Sequence, residues 1–470
     1  MDKKQNGEAP DAVRLPRTGT GIFFIGIGGV SMSALAVIAK EKGYRTGGSD
    51  RAASQTTHNL QAEGIEVFIG HDAAHLDGYD TVVFNAAISE ENPELRAAKE
   101  KGLQVIYRAD FMAALMDGFP FAVGVAGMHG KSTTSAWISH IFLGAARDPS
   151  VLIGAVLPEI GGSFRTGRGD AFIFEACEYR DSFLSFRPNV AVVLNIEMDH
   201  PDYFKSLEQI IESYRKYIAI PGKGGAAVLN FDDPNVRKAA EGCPTPCITC
   251  GINNPDAEFR AVAVRTDRGF ASFEIQKNGV QFCRVSLQVP GIHQVMNALQ
   301  SAAAADFCGV SREDIEQGLS SFRGVGRRLE YKGFFKGTRI PVFDDFAHHP
   351  TEIRASLSVI AQMGYRKLFC VYQPHTYSRT AKLFDSFTKA FDAADTLLLT
   401  DIYAARESNT YGVTSRQLSE KIPQAVYCAD NGAVIEFLRQ NIEEGDVIVI
   451  MGAGNISRLA EEITETGKRP

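Results

Sequence analysis

The sequence predicts an α/β protein of three domains whose sheets are mostly parallel. Apolar runs of strand length alternate with amphipathic segments of helix length along nearly the whole chain. Several strand-to-helix junctions carry glycine-rich turns, which are typical of nucleotide-binding folds. The chain has 470 residues, which is enough for about three domains of ordinary size.

Composition narrows the class of protein. Apolar residues make up 44% of the chain and charged residues 22%, as in globular proteins. The net charge is −7 and no run is strongly basic, so we expect neither a nucleic-acid nor a membrane partner. The first twenty residues are polar, and no apolar run approaches the length of a membrane span. Eight scattered cysteines suit reduced thiols, so we expect a cytoplasmic protein.

A glycine-rich turn follows the first predicted strand, Gly21–Ile25. It reads Gly-Ile-Gly-Gly-Val-Ser at 26–31, and Asp50 stands about twenty residues on. This spacing resembles a dinucleotide fingerprint, although Ser31 occupies the third glycine position. A nicotinamide oxidoreductase is therefore one interpretation. The other is that the turn holds the diphosphate of a nucleotide-linked substrate.

The most informative stretch is residues 124–134, Gly-Val-Ala-Gly-Met-His-Gly-Lys-Ser-Thr-Thr, between a predicted strand and a predicted helix. Such a turn directs backbone N–H groups and a helix N-terminus at one point, where phosphate binds. Lys131 can reach terminal phosphate oxygens and the Ser132 hydroxyl can ligate Mg²⁺. Val125 stands where the long phosphate-loop pattern has glycine. The sequence predicts a nucleoside triphosphate site here.

Acidic residues end two of the neighbouring predicted strands. Glu175 ends the strand at 171–175, and ligands of doubly wound sheets bind at such carboxyl ends. It could complete a Mg²⁺ site that begins at Ser132. The strand at 190–195 is followed by three residues that could serve a second metal or hold the first by hydrogen bonds: Glu197, Asp199 and His200.

Alternating polar-rich segments at 256–290 predict a small antiparallel sheet, and a helix follows from His293 to Cys308. His293 and Asn297 share one face of that helix. Asn297 can read the N6/N7 edge of adenine, and helix capping is the structural alternative. Cys243, Cys247 and Cys250 lack a fourth ligand nearby, so we interpret them as a turn leading into a strand.

The C-terminal third repeats the strand–helix alternation after a linker-like segment at 322–328. One strand-end loop, Asp-Asp-Phe-Ala-His-His-Pro at 344–350, could bind metal or orient a ribose and a substrate carboxylate. A second, at 373–380, carries His375 and Arg379, which suit an anionic group.

Taken together, these motifs resemble those of the Mur ligases of peptidoglycan synthesis. The match runs from Gly26 to about Gly454 and rests on the order of the motifs as much as on any one. Besides the turn at 26–33 and the phosphate loop, it includes Gly-Ser-Asp at 48–50, Asn-Ile-Glu-Met-Asp-His at 195–200, Gly-Ile-His at 291–293, Arg-Arg-Leu-Glu at 327–330, the two C-terminal loops and Met-Gly-Ala-Gly at 451–454.

The resemblance implies three domains after a flexible tail at 1–18. These are a Rossmann-like UDP-substrate domain at 19–118, a central ATP-binding domain at 119–323 and a Rossmann-like amino-acid domain at 324–470. Phe346 stands for Tyr and Thr376 for Arg where the amino acid is expected. Oligomeric state stays open between monomer and homodimer.

The resemblance also implies roles for individual residues. ATP is assigned to Gly127, Met128, His129, Gly130, Lys131, Ser132, Thr133, His293, Asn297, Arg327 and Asp345. The UDP-linked substrate is assigned to Gly28, Gly29, Val30, Ser31, Asp50, His71, Ala87, Ile88 and Arg108. The amino acid is assigned to His348, His375 and Arg379, and two Mg²⁺ ions to Ser132, Glu175 and His200. Catalysis is expected from Lys131, Glu175, His200, His348 and Arg379.

The activity that the resemblance implies is ATP-dependent amide-bond formation. L-alanine would be joined to the lactyl carboxylate of UDP-N-acetylmuramate through an acyl phosphate. The nearest alternative is a related Mur ligase that uses another amino acid or a preformed peptide. A nicotinamide oxidoreductase leaves Lys131 unexplained, and a non-enzymatic ATP switch leaves the histidine loops unexplained.

Overall fold

The computed structural model describes residues 15–200, 203–405 and 407–465. Three sheets are built from consecutive stretches of the chain. Most of the predicted tail lies outside the described residues. The predicted α/β class with mostly parallel sheets is confirmed, whereas the predicted domain boundaries stay predictions.

The first sheet is parallel throughout, with strand order β3-β2-β1-β4-β5. The order reverses at β1, so a crevice opens at the carboxyl ends of β1 and β4. Its elements are β1 (Gly21–Ile25), α1 (Val30–Glu41), β2 (Arg45–Asp50), α2 (Gln55–Ala62), β3 (Glu66–Ile69), β4 (Thr81–Phe84), α3 (Pro93–Glu100), β5 (Gln104–Tyr107) and α4 (Arg108–Met116).

The second sheet has ten strands in the order β15-β14-β13-β12-β11-β10-β6-β9-β7-β8. Its elements are β6 (Phe121–Ala126), α5 (Lys131–Gly144), β7 (Ser150–Leu157), β8 (Gly162–Arg165), β9 (Ala171–Glu175), β10 (Val190–Val193), α6 (Leu207–Ile218), β11 (Ala226–Asn230), α7 (Pro234–Ala240), β12 (Cys247–Gly251), β13 (Phe259–Asp267), β14 (Phe270–Lys277), β15 (Val280–Pro290), α8 (His293–Phe307) and α9 (Arg312–Ser321).

The antiparallel strands predicted at 256–290 are present, but they do not form a sheet of their own. β13 pairs parallel with β12, and β14 and β15 then extend the same sheet antiparallel. Cys247 and Cys250 lie on β12, as the turn-and-strand interpretation expected, and Cys250 is buried.

The third sheet has the order β20-β19-β18-β21-β17-β16-β22 and is antiparallel only at the β16 pairs. Its elements are β16 (Glu330–Phe335), β17 (Pro341–Asp345), α10 (Pro350–Ala361), β18 (Leu368–Tyr372), α11 (Tyr377–Lys382), α12 (Phe384–Phe387), β19 (Thr396–Leu399), α13 (Ser415–Ser419), β20 (Ala425–Tyr427), α14 (Asn431–Asn441), β21 (Val447–Met451), α15 (Ser457–Ile463) and β22 (Thr464–Glu465).

The strand that carries the phosphate loop is packed in the core of the central sheet, where helices cover it. Residues 122–126 of β6 are buried, as expected of a parallel strand with both faces covered. Trp137 of α5 is fully buried and stacks on Phe322, with ring centroids 4.7 Å apart. Ala302–Ala305 of α8 are buried in the same core. No helix in the described ranges has both the length and the apolar character needed to cross a membrane.

Candidate nucleotide and ligation site

The phosphate loop connects β6 to α5 and depends on glycine at two positions. Gly127 has φ +145° and Gly130 has φ +87°. A Cβ at Gly130 would lie 2.9 Å from the Asn297 Oδ1 atom, too close for a side chain. The loop is anchored to the adjacent strand end, because the His129 N–H donates to Asn195 Oδ1 at 2.9 Å. The N-terminus of the fourteen-residue α5 therefore faces open space as an anion site.

The Lys131 ammonium and the His200 imidazole both contact the buried carboxylate of Glu178. Its Nζ is 3.1 Å from Glu178 Oε2, and His200 Nε2 is 3.0 Å from Glu178 Oε1. The Glu178 carboxylate is 1% exposed. Burial opposes its ionisation, but Lys131 and His200 outweigh burial and lower its pKa. Glu178 was not among the residues we assigned, although its spacing from Glu175 was visible in the sequence.

Ser132, Glu175 and His200 line one cleft of about 1090 Å³ with Lys131 and Glu178. The Glu175 carboxylate accepts the N–H of Gly154. Hydroxyl and carboxylate oxygens are the donors that Mg²⁺ prefers, so this donor set fits the ion. An imidazole is a softer ligand and is less usual for Mg²⁺.

A second cavity of about 280 Å³ lies beside the loop, between the central and C-terminal sheets. The Asn297 amide donates to Gln294 Oε1 at 3.0 Å and borders Gly130. Burial lowers the pKa of His293 to about 4, which leaves its imidazole neutral. This cavity has the size and mixed polarity of a nucleoside site. Among the residues we assigned to ATP, its lining includes His129, Gly130, Thr133, His293, Asn297 and Asp345.

Two other residues assigned to ATP, Met128 and Arg327, do not line this cavity. Met128 packs its side chain in the core below the loop, so it can offer only its backbone to phosphate. Arg327 Nε lies 3.3 Å from Asp344 Oδ2, and Arg327 donates to the Gly452 carbonyl. Its neighbour Arg328, which we had not assigned, lines the smaller cavity instead.

Asp345 and Asp344 differ in their surroundings. Asp345 accepts the N–H groups of Leu329 and Ala347, at 2.8 Å and 2.7 Å, so it holds the loop after β17 in place. Burial raises the pKa of Asp344 to about 6, although Arg327 opposes this shift.

His348, His375 and Arg379 converge at the ends of β17 and β18. The two imidazole rings are 5.9 Å apart, and Arg379 Nη1 donates to His375 Nδ1 at 3.2 Å. Burial lowers the pKa of each histidine to about 4. Arg379 Nη2 also lies 3.7 Å from Asp199 Oδ1, on the loop that carries His200. The His348–His375–Arg379 cluster thus contacts Asp199, the residue before His200 in the chain.

His129 links the phosphate loop to the C-terminal sheet. Its Nδ1 is 3.3 Å from Glu352 Oε1 and its Nε2 is 3.4 Å from Glu197 Oε2. Burial disfavours the imidazolium, but the two carboxylates outweigh burial and raise its pKa to about 9. His129, Glu197 and His349 form the one set of three His, Cys, Asp or Glu side chains among the described residues whose ligand atoms lie close enough together to share a metal ion. However, His349 Nδ1 accepts the Thr351 N–H at 3.3 Å, so ligation through Nε2 would require the imidazole proton to move to Nδ1 and break that bond.

The His129 pKa predicts how stability depends on pH. The folded value, about 9, lies above the ordinary 6.5, so the stabilisation is complete below pH 6.5 and is lost as the pH rises through about 9. We expect the melting temperature of the native protein to exceed that of His129→Gln by most at pH 6, and the gap to close above pH 9. A gap that stays constant from pH 6 to pH 10 would remove His129 from this linkage.

Several non-glycine residues of the cleft have left-handed backbone. Such conformations cost on the order of 1–3 kcal/mol each and are concentrated at functional sites. Thr376 is β-branched and has φ +63°, held where its N–H donates to the Tyr403 carbonyl at 2.9 Å. Thr376 lies outside the cleft, and the residues with positive φ that line it are His200, Arg327 and Leu329.

The residues assigned to the UDP-linked substrate gather at the carboxyl edge of the first sheet. Asp50 Oδ2 accepts the Gly28 N–H at 2.9 Å, and Arg108 Nη1 donates to Ser31 Oγ at 2.9 Å. His71 Nδ1 lies 2.8 Å from the buried Glu94 carboxylate. Val30 is 61% exposed at the turn. Ala87 follows β4, where its N–H donates to Asn85, and Ile88 faces Gly26 across the crevice.

Family models match nearly the whole chain. The "Mur ligase family, catalytic domain" model matches residues 21–120, the "Mur ligase middle domain" model 125–305 and the "Mur ligase, glutamate ligase domain" model 327–454. The chain belongs to the Mur ligase family. The family resemblance of the motifs is therefore confirmed.

Relatives of this Mur ligase agree with the models. A protein of Acetivibrio thermocellus named UDP-N-acetylmuramate–L-alanine ligase is 42% identical over 94% of each chain. One of the same name from Clostridium perfringens is 41% identical over 94% of this chain and 96% of its own. The crystal structure of the UDP-N-acetylmuramate–alanine ligase of Thermotoga maritima superposes with a TM-score of 0.77 at 25% identity, covering 94% of this chain and 98% of that one.

Proposed function

We propose that this Mur ligase joins L-alanine to the lactyl carboxylate of UDP-N-acetylmuramate, with ATP as the energy source, in the cytoplasm. The 3.7 Å contact between Arg379 and Asp199 carries the proposal. This contact lies between the His348–His375–Arg379 cluster and the loop of His200, so an amino acid bound at the cluster would have its amine near a phosphoryl group bound at the phosphate loop. The name shared by the 40–42% identical relatives supports this substrate pair.

The chemistry proceeds in two displacements. A lactyl carboxylate oxygen attacks the γ-phosphorus, and ADP leaves, giving an acyl phosphate. The alanine amine then attacks the acyl carbon, phosphate leaves, and the amine proton is lost to give the amide. Lys131 would neutralise charge on the γ-phosphoryl oxygens, where preorganised cations contribute most. Its present bond to Gly127 O, inside the loop, would be replaced by phosphate.

The oxygen donors of Ser132 and Glu175 fit Mg²⁺, and we propose a second ion beside His200. When bound, the ions would neutralise negative charge on the phosphates of ATP. Glu178 would hold the side chains of Lys131 and His200 in position, because its carboxylate is ionised and contacts both.

The first sheet would hold the UDP-linked substrate. Its glycine turn and Arg108 suit a diphosphate. Asp50 is already bonded to the turn itself through Gly28. In a nicotinamide enzyme the corresponding acid is needed for the ribose hydroxyl. The other carboxylate oxygen of Asp50 remains for a ribose in either class of enzyme, so what favours the ligase is the separate phosphate loop with Lys131, which a nicotinamide enzyme does not need.

The assay that tests the proposal is phosphate release by the full chain. We expect release only when ATP, UDP-N-acetylmuramate and L-alanine are all present. Release without the amino acid, or none with all three, would contradict the proposal, and oxidation of a hydroxy substrate with NAD would revive the oxidoreductase.

Metal dependence gives a separate prediction. Glu175→Gln and His200→Ala should each raise the Mg²⁺ concentration needed for half-maximal activity, because each removes a ligand or its support. The control is Glu208→Gln, which removes an exposed carboxylate from the first turn of α6. Curves that coincide with those of the native protein for both variants would assign these residues a structural role.

A further inference from the structure

Glu352 occupies an unusual position between two sheets. It lies in the first turn of α10, after the histidine loop, and its side chain is 12% exposed. Its Oε2 accepts the N–H groups of His348 and His349 at 3.1 Å and 3.3 Å. Its Oε1 lies 3.3 Å from Nδ1 of His129, which belongs to the phosphate loop of the central sheet.

The charges around Glu352 keep it ionised. Burial opposes ionisation, yet His348, His129 and Arg328 hold its pKa well below the ordinary value, and at neutral pH, where His348 is uncharged, the charges of His129 and Arg328 remain. Arg328 Nη1 lies 3.8 Å from Oε1, and His348 Nδ1 lies 3.5 Å from Oε2. The carboxylate thus has one oxygen toward the nucleotide side and the other toward the amino-acid side.

We propose that Glu352 is a positioning residue that couples the phosphate loop to the amino-acid cluster. The inference rests on the proposed function and deepens it, because it says how the two halves of the site are held in register. The backbone bonds of the helix cap fix the carboxylate. His129 therefore cannot shift without either breaking its bond to Oε1 or moving the loop that carries His348.

The geometry gives a directional consequence. A substitution in the phosphate loop should raise KM for the amino acid, although His129 and the His348–His375–Arg379 cluster belong to different sheets. Glu352→Gln keeps one carbonyl oxygen for the cap and therefore places an amide N–H donor opposite His129. It should loosen the link and spare the helix.

The test compares Glu352→Gln with Glu313→Gln, which removes an exposed carboxylate from the first turn of α9. We expect Glu352→Gln to raise KM for alanine at least tenfold and to lower kcat in a protein that melts at a lower temperature but is folded under assay conditions, while Glu313→Gln behaves as the native protein. His129→Gln should raise KM for alanine as well, and the double variant should be no worse than the more damaged single one.

Each other outcome has a distinct meaning. If Glu352→Gln fails to fold, His129→Gln alone decides, because an unchanged KM for alanine there overturns the coupling. Native kcat and KM in Glu352→Gln also overturn it, as does strict additivity in the double variant. If the native protein itself releases no phosphate with alanine, the proposed function fails instead. The coupling is then tested by whether Glu352→Gln alters affinity for a non-hydrolysable ATP analogue, and unchanged affinity overturns it.

Discussion

Lys131→Ala is expected to lower kcat by roughly 10²–10³, the range seen when one preorganised charge contact to a reacting group is removed. Lys131 lies at the base of the phosphate loop, with its Nζ 3.1 Å from Glu178. The ammonium is charged at neutral pH, since Glu178 raises its pKa against the effect of burial. Steady-state phosphate release at saturating substrates measures the effect.

The control for this variant is Lys99→Ala, which removes a surface ammonium paired with exposed Glu90. The fold should survive both changes, though Lys131→Ala leaves Glu178 with only His200 as a partner. A Lys131→Ala protein that is folded and turns over at the native rate would exclude Lys131 from the chemistry.

Arg379→Lys should raise KM for alanine far more than KM for ATP. Lysine keeps the charge but not the planar fork. The Arg379 guanidinium lies 3.2 Å from His375 and 3.7 Å from Asp199. A lysine ammonium cannot reach both of these and a substrate carboxylate together. Loss of a charge-assisted bond costs about 1.5–3 kcal/mol, so we expect roughly a ten- to hundredfold rise.

Separate titrations of alanine and ATP distinguish the two effects of Arg379→Lys. Arg416→Lys is the matched control, because Arg416 packs on Tyr427 in another part of the C-terminal sheet. If KM for ATP rises and that for alanine does not, Arg379 belongs to the nucleotide site and the amino-acid pocket lies elsewhere.

Local signals in the sequence predicted the strands that carry the site. The phosphate loop lies between β6 and α5 as expected, because the motif is contiguous and its glycines are needed for local geometry. The helix expected from His293 to Cys308 is α8, one residue shorter. The strand expected at 190–195 ends at Val193, since the side chain of Asn195 turns to hold the phosphate loop.

Long-range contacts could not be predicted in the same way. Glu178 and Glu352 acquire their roles from partners on other strands and on another sheet, and no local pattern marks such pairs. Arg327 and Arg328 are adjacent, and the sequence does not show that Arg328 is the one that lines the smaller cavity, since the chain turns at Arg327 with φ +59°. The antiparallel strands were recognised, but their attachment to β12 depends on a pairing between distant segments.

One competition experiment tests the central claim most directly. The full chain is given ATP, UDP-N-acetylmuramate, all twenty amino acids at equal concentration and a preformed peptide with a free amine, and the uridine-containing product is identified by mass. We predict the alanine adduct as the main product. Glycine and serine adducts should be measurable, because one methyl group offers only about 1–3 kcal/mol of discrimination. A product that carries the peptide, or another amino acid in place of alanine, would contradict the account.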